Sequence, residues 1–217
     1  MTPSEQSASA TAATDDMSAV TLANLSFTDS LDNYHLSLHS RSMMLNLSYL
    51  IEDYATSETD TLLIAAFQRF SFYRHQLVRY RRLAPRCRHV YVLGMPDEKP
   101  PEVANVTYIP IEATWPLMHE WAVIANGPTC CIALCARDHQ QLQPARRAEH
   151  FQALWTTSVP LIDHAVTSFF IAIGQSPPVI DRDPQVLNQA IAAPRLPVGV
   201  RRRRARYGCH VVEGQIE

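Results

Sequence analysis

Several residue types that common enzyme sites require are scarce or missing in this chain. Only 6 of the 217 residues are glycine, and Lys99 is the one lysine among 19 basic residues. No G-x-x-x-x-G-K-[ST], G-x-G-x-x-G or G-x-S-x-G pattern occurs, which excludes a glycine-rich phosphate cradle and a hydrolase nucleophile elbow. The sequence therefore predicts a protein that is not an enzyme.

Long apolar runs and cysteine pairs are missing as well. No stretch approaches the roughly 20 apolar residues that a membrane-spanning helix requires. The N-terminal stretch MTPSEQSASATAATDDMSA lacks the basic start and apolar centre of a secretory signal. The 5 cysteines form no C-x-x-C pair, and an odd number in a chain without a signal indicates reduced thiols. These features predict a cytoplasmic location.

The charges are few and unevenly placed. The net charge of −2 favours neither DNA nor an anionic membrane. Residues 1–60 contain nine acids and a single base, Arg41, whereas Arg69–Arg88 contains seven arginines and no acid. This basic segment favours docking to an acidic partner or to the chain's own acidic N-terminal third. Its interleaved aromatics and a second basic run, Arg201–Arg206, keep a nucleic-acid-binding regulator as an alternative.

Hydrophobic periodicity predicts a helical first part of the chain, then strands, then one helix. Helices are predicted at 43–56, 61–70, 73–84 and 160–173. Strands are predicted at 89–94, 106–111, 120–125, 130–136 and 151–157. The connections between these strands are too short for helical crossovers. The predicted fold is therefore α+β, with N-terminal helices packed on a mainly antiparallel sheet of about five strands, and a C-terminal helix.

Composition predicts one folded domain with flexible ends. Residues 1–22 are rich in Ser, Thr and Ala and poor in large apolar groups, so we expect a disordered lead. Residues 38–174 contain all the predicted elements and form the domain. Residues 175–217 are rich in Pro and Arg and are predicted to be a flexible tail.

Five segments occur in an order that resembles a known family. They are TLLIAAFQRFSFY at 61–73, RYRRLA at 79–84, HVYVLGM at 89–95, Glu120-Trp121 followed by AVIANGPTCCIALCARDH, and HFQALWTTSVPLIDHA at 150–165. Together they resemble the DICT domain, a family found with diguanylate cyclases and two-component proteins. The chain departs from the family pattern at Ser158-Val159, where an acidic turn is expected.

The resemblance implies a sensory or interaction role upstream of cyclic-di-GMP or phosphorelay machinery. The GGDEF-type and EAL-type signatures of cyclic-di-GMP enzymes are absent from the sequence. The chain is therefore expected to act on a separate histidine kinase, response regulator or diguanylate cyclase. Gating by a small ligand and homo-oligomerisation are further expectations, and the sequence requires no cofactor.

Candidate binding residues lie in these segments and at the open end of a predicted hairpin. The loop at 126–129 would bring Glu120 within a residue or two of Arg137, close enough for a charge-assisted bond. That pair is either a polar grip at a pocket mouth with a tryptophan wall, or an ion pair that pins the hairpin. The candidate residues are Phe67, Tyr73, Arg79, Glu120, Trp121, Arg137, Asp138 and Trp155.

Three cysteines, Cys130, Cys131 and Cys135, are close in sequence and raise the question of metal or redox chemistry. Along a strand, positions four apart are separated by roughly 13 Å, so Cys131 and Cys135 cannot ligate one ion, and Cys130 faces away. Buried structural thiols and a thiol-based redox sensor are the two interpretations. His35 and His39 lack an HExxH context, so no metal site is predicted.

Overall fold

The computed structural model describes residues 20–29, 36–57, 59–138 and 150–182. The strands are β1 (Ser37–Ser40), β2 (Leu62–Arg69), β3 (His89–Met95), β4 (Val106–Pro110), β5 (Glu120–Asn126), β6 (Cys131–Asp138) and β7 (His150–Thr156). The α-helices are α1 (Arg41–Ala55), α2 (Phe70–Tyr73), α3 (Leu77–Leu83) and α4 (Val159–Ala172). Most of the predicted lead, most of the predicted tail and the run Arg201–Arg206 lie outside the described residues, so the domain limits stay predictions.

The class is α+β as expected, but the sheet is mixed and has seven strands instead of about five. Its order is β1-β7-β6-β5-β2-β3-β4. Strand β3 lies parallel to both β2 and β4, and the other four pairings are antiparallel. The prediction of a mainly antiparallel five-stranded sheet is therefore wrong in its strand number and in the β2-β3-β4 part.

The interior strand β2 was predicted as a helix. Residues Leu62–Ala66 are at most 3% exposed, because β3 and β5 flank the strand and helices cover both faces. A short apolar run that is buried on both faces shows no alternation, so periodicity does not separate it from a buried helix. The short polar strand β1 at the sheet edge was missed for lack of any apolar pattern.

The predicted third N-terminal helix is the crossover between β2 and β3. It consists of α2, a 3₁₀ turn at Arg74–Gln76, α3 and a second 3₁₀ turn at Ala84–Arg86. A crossover of this length allows β2 and β3 to run parallel. Of the described residues before β2, only those of α1 form an α-helix, so the two helices predicted at 61–70 and 73–84 do not precede the sheet as expected.

The sheet separates two apolar cores. On one face, called the α1 side, α1 and the α2–α3 segment pack on strand residues such as Leu63 and Val92. On the other face, called the α4 side, α4 and the stretch 20–29 pack on residues such as Ile64 and Leu93. Successive residues of a strand alternate between these two cores.

The ends of the two long helices follow ordinary capping rules. Ser40 precedes α1, and its side chain accepts a hydrogen bond from the backbone amide of Met43 at 3.4 Å. Pro160 lies in the first turn of α4, and Gly174 ends the helix with φ of +70°, as predicted. Within the described ranges, no helix has the length and apolar character needed to cross a membrane.

Candidate functional site

A cleft on the α1 side opens where the first turn of α1 meets the end of β2. Its walls come from α1, β2, the α2 region and the start of β5. The lining residues are Arg41, Leu45, Ala66, Phe67, Gln68, Phe72, Gln76 and Trp121. Two of the residues predicted from sequence, Phe67 and Trp121, are therefore brought together here.

Among the described residues that line the cleft, Arg41 is the one with a charged side chain. Its guanidinium carbon lies 5.3 Å from the ring centroid of Trp121 and 6.0 Å from that of Phe72. The ring quadrupoles attract a cation placed over them, by about 0.5–1 kcal/mol at exposed sites and more when water is excluded. The indole of Trp121 is itself fixed, because its Nε1 donates a hydrogen bond to Ser48 Oγ at 3.0 Å. The cleft therefore holds a positive charge against aromatic walls.

Gln68 adopts a backbone conformation that is uncommon for its residue type. Its φ is +65°, and the pairing of β2 with β3 is irregular between Ala66 and Arg69, so Gln68 lies in a bulge. Holding a non-glycine residue in this region costs on the order of 1–3 kcal/mol, and such strain clusters at functional sites. The bulge places Gln68 in the cleft wall.

The cleft is small. Water-sized groups can fill about 50 Å³ of it. A bound water needs at least about 10–15 Å³ by the same measure, so the cleft has room for roughly three to five such groups. This space suits a small ion or metabolite and is too small for a nucleotide.

Glu120 lies on the opposite face of the sheet and is only 2% exposed. Its Oε1 accepts hydrogen bonds from the Ser26 hydroxyl at 2.5 Å, the Thr28 amide at 3.2 Å and the Thr28 hydroxyl. Its Oε2 accepts from the Phe27 amide at 2.8 Å. We call residues Ser26-Phe27-Thr28 the 26–28 clamp. Four donors on one buried carboxylate anchor the N-terminal stretch to the start of β5.

The predicted bond between Glu120 and Arg137 is absent, although the register places these two residues directly opposite each other. The 26–28 clamp takes up the carboxylate, and Arg137 Nη2 lies 3.3 Å from Asp29 Oδ1 instead. Trp121 faces the α1 side because neighbouring strand residues alternate, so Glu120 and Trp121 do not share a pocket. Asp138 is buried at the end of β6, on the α1 side with its cross-strand neighbour Phe151.

Arg79 joins α3 to α1 and does not line the cleft. Its guanidinium donates to Glu52, and at 2.8 Å to both the Tyr49 carbonyl and Asp53 Oδ1. Glu52 is 2% exposed and also accepts a hydrogen bond from the Tyr80 hydroxyl at 2.9 Å. Burial raises the pKa of Glu52 above its usual 4.5, and the attraction of Arg79 opposes that shift.

Tyr73 and Trp155 belong to the core of the α1 side. The Tyr73 hydroxyl lies 3.1 Å from that of Tyr108, and burial raises the pKa of Tyr73. The rings of Phe67 and Tyr73 contact edge to face at 5.4 Å, so Tyr73 supports the cleft wall from beneath. Trp155 lies on β7 opposite Leu134 and packs against this core away from the cleft lining.

The redox candidates are buried thiols. Cys131 and Cys135 face the α4 side, and Cys130 lies in the core of the α1 side. Burial raises the pKa of Cys131 to about 12 and raises the pKa of Cys135 as well. Because the thiolate is the reactive form, this environment disfavours oxidation. Across the described parts of the chain, no group of three His, Cys, Asp or Glu side chains could hold a metal ion.

Several residues of the site were missed from sequence. Arg41 carried a signal, since it is the single base of residues 1–60. Gln68 had no recognisable sequence signal, because it lies in a bulge of a strand that was taken for a helix. Gln76, in the 3₁₀ turn Arg74–Gln76, had none either. The 26–28 clamp was missed because a short Ser/Thr stretch resembles any loop.

Comparison with known proteins gives one match. The model of the DICT family, described as the sensory domain in diguanylate cyclases and two-component systems, matches residues 6–139. This range contains β1 to β6, α1 to α3 and every residue that lines the cleft. No curated protein and no solved structure matches the chain significantly. The resemblance to this family is confirmed, and four of the five segments lie within the matched range, whereas the fifth, at 150–165, lies beyond it.

Proposed function

The chain belongs to the DICT family of sensory domains, and we propose that it is a non-enzymatic bacterial adaptor that docks a separate signalling protein in the cytoplasm. The partner is a member of a two-component or cyclic-di-GMP pathway, namely a histidine kinase, a response regulator or a diguanylate cyclase. The observation that supports docking is a group of exposed arginines on α3 and the 3₁₀ turn that follows it.

We call Val78, Arg81, Arg82 and Arg86 the arginine face. All four residues are exposed, and Val78 shows 63% of its surface. Positions 78, 81 and 82 are three and four residues apart on a helix, so they share one side of α3. The other side, with Tyr80 and its buried neighbours, packs on the sheet.

The three arginines of this face make no ion pair with any described residue. Other arginines of the crossover do: Arg74 lies 3.3 Å from Glu98, and Arg79 pairs with Glu52. Some arginines of the crossover therefore have acidic partners, whereas the arginine face places like charges in solvent around the apolar side chain of Val78. A complementary acidic surface with a shallow apolar contact would relieve this repulsion.

The arginine face and the cleft belong to the same chain segment. Phe72 and Gln76 line the cleft, and α3 begins at the next residue, Leu77. A ligand that fixes Phe72 and Gln76 would bias the position of α3. This connection supports gating of partner docking by a small ligand.

The test is capture of the partner by the full chain in its native cell, with crosslinking and identification by mass spectrometry. The variant R81Q/R82Q/R86Q should lose the signalling partner. The matched control R201Q/R202Q/R203Q removes the same charge from the second basic run and should retain it. Equal capture by both variants, or recovery of no protein from the three named classes, would refute docking through this face.

A further inference from the structure

The chain turns back on itself after α4. Gly174 ends the helix with φ of +70°, and the Gln175 amide donates a hydrogen bond to the Phe170 carbonyl at 2.9 Å. We call residues 175–182, which have no regular secondary structure, the strap. Its last residue, Arg182, contacts Asp163 in the first half of α4, so the strap returns from one end of this helix toward the other.

Two side chains from different elements hold Arg182. Its Nη1 donates a hydrogen bond to Asp163 Oδ2 at 3.0 Å, and its Nη2 donates at 2.5 Å to both Asp163 Oδ1 and Asn126 Oδ1. Asn126 ends β5, and its Nδ2 donates to Asp163 Oδ1 at 3.1 Å, which orients the carboxylate. A pair of parallel bonds to one carboxylate is the geometry that a planar guanidinium provides.

The burial of these groups contrasts with the exposure of the strap itself. The side chain of Arg182 is only 7% exposed, and Asn126 is 1% exposed and paired with strands on both sides. Val179 shows 87% of its surface, and its carbonyl accepts a hydrogen bond from Arg88 Nη1 at 3.3 Å. Most other residues of the strap are exposed as well. The strap is therefore held chiefly by one buried arginine at its end.

We infer that Asn126 and Asp163 form a binding site for a guanidinium group, which the chain fills with its own Arg182. The strap opens while the domain stays folded, and the open site accepts an arginine side chain of a partner protein. This inference goes beyond the proposed docking through the arginine face, and it depends on other residues.

Two observations favour exchange over a permanent anchor. The Nε of Arg182 is buried and makes no hydrogen bond to a described residue, so the chain's own arginine leaves one of its donors unsatisfied. The side chain of Asp163 is 46% exposed, so a ligand can reach the carboxylate from solvent. A segment with few buried contacts also opens at a lower free energy than the whole domain does.

The acceptors of the site select a guanidinium among cations. Two carboxylate oxygens of Asp163 and one amide oxygen of Asn126 receive N–H groups from a single planar donor. The ammonium of a lysine is a compact point charge and does not present two parallel N–H groups to one carboxylate. The carboxylate of Asp163 repels an anion.

The first test uses trypsin cleavage after Arg182 in the full chain, mapped by mass spectrometry. Trypsin must take this side chain into its own specificity pocket, so cleavage requires that the strap be open. D163N keeps the shape of the residue and removes its charge. It should accelerate cleavage after Arg182 by at least about tenfold, the change expected when one charged hydrogen bond is lost. The control E102Q removes a charge from an exposed residue between β3 and β4 and should be cleaved as the parent is.

The second test asks whether the site binds a guanidinium that is not attached to the strap. In R182A the side chain that fills the site is removed, so ethylguanidinium should bind the folded state and raise Tm saturably relative to the double variant R182A/D163N. The double variant shows the general effect of this solute on stability. Ethylammonium has the same charge without the planar fork and should affect both variants equally.

Three results would overturn the inference. They are cleavage after Arg182 that is as slow in D163N as in the parent, cleavage in D163N that occurs only together with cleavage throughout the domain, and equal Tm changes of R182A and R182A/D163N in ethylguanidinium. The second of these would show a permanent structural anchor. Partner capture through the arginine face tests other residues, so either proposal can fail while the other stands.

Discussion

Replacing Glu120 by glutamine should loosen the N-terminal stretch by a predictable amount. The amide has the shape of the carboxylate but offers one acceptor oxygen and presents an NH₂ group in place of the other. With its oxygen at the Oε1 position, the new NH₂ group faces the amide of Phe27, which donates to Oε2 in the natural protein. The Phe27 amide then has no acceptor, and the remaining bonds of the 26–28 clamp lose their charged acceptor.

The magnitude follows from these losses. A hydrogen bond to a charged group contributes about 1.5–3 kcal/mol against about 0.5–1.5 kcal/mol for a neutral one, and an unsatisfied buried donor costs about 1–3 kcal/mol. Relief from burying a charge offsets part of the sum. We expect E120Q to lower the free energy of unfolding by about 3 kcal/mol, or Tm by roughly 6–12 °C for a chain of this length.

Thermal melting and amide hydrogen exchange together check this prediction. Exchange at the amides of Phe27 and Thr28 should accelerate in E120Q, because opening of the 26–28 clamp becomes easier. The control E102Q changes the charge equally at an exposed glutamate and should leave both measurements unchanged. T28V should couple to E120Q in a double-mutant cycle, since its hydroxyl bonds the same carboxylate. Unchanged exchange at both amides, together with a Tm within about 1 °C of the parent, would refute the clamp.

Three further outcomes follow from buried groups. Burial raises the pKa of Glu52 in the folded state, so the contribution of this group to the free energy of unfolding falls as pH rises from 4.5 through the raised pKa. Urea denaturation at a series of pH values measures this fall, and E52Q should flatten it. G127A should lower the free energy of unfolding by about 1–3 kcal/mol, because the Cβ of the new alanine would lie 2.5 Å from Thr61 Oγ1. Adding T61A should recover part of this loss in the same denaturation assay. Burial raises the pKa of Cys131 to about 12 from an ordinary 9.0 and shields the thiol, so iodoacetamide should label it much more slowly at pH 8 than in the unfolded chain. Fast labelling detected by mass spectrometry would instead favour the redox alternative.

Most elements of the fold could be predicted from local pattern. Strands β3 to β7 and the helices α1 and α4 lie within two residues of their predicted limits. Each of them is partly exposed or lies near a Gly or Pro. Partial exposure gives an alternation of apolar and polar residues, and Gly or Pro marks where an element ends. The family resemblance did not depend on these assignments, since its first segment covers β2, which was taken for a helix.

Strand β2, next to the middle of the sheet, could not be predicted in this way. Strand β2 has no polar face because both of its faces are covered, and the information that makes it a strand lies in β3 and β5 rather than in its own residues. Once β2 was taken for a helix, the α2–α3 segment no longer appeared as a crossover, and the parallel pairing was lost with it. The misassignment of β2 therefore accounts for the missed β2–β3 pairing, the helix order and the missed bulge at Gln68, whereas the missed strand β1 and the parallel pairing of β3 with β4 are separate errors.

The candidate residues at the start of β5 illustrate how alternation separates two sites. Glu120 and Trp121 are adjacent in sequence, yet one is held by the 26–28 clamp on the α4 side and the other forms a wall of the cleft on the α1 side. Trp121 is also tied to α1 through Ser48. A single peptide unit thus connects the N-terminal stretch, the sheet and α1. Any signal that begins at Arg41 in the cleft and reaches the N-terminal stretch by this route must pass through the backbone of β5, because the two side chains never meet.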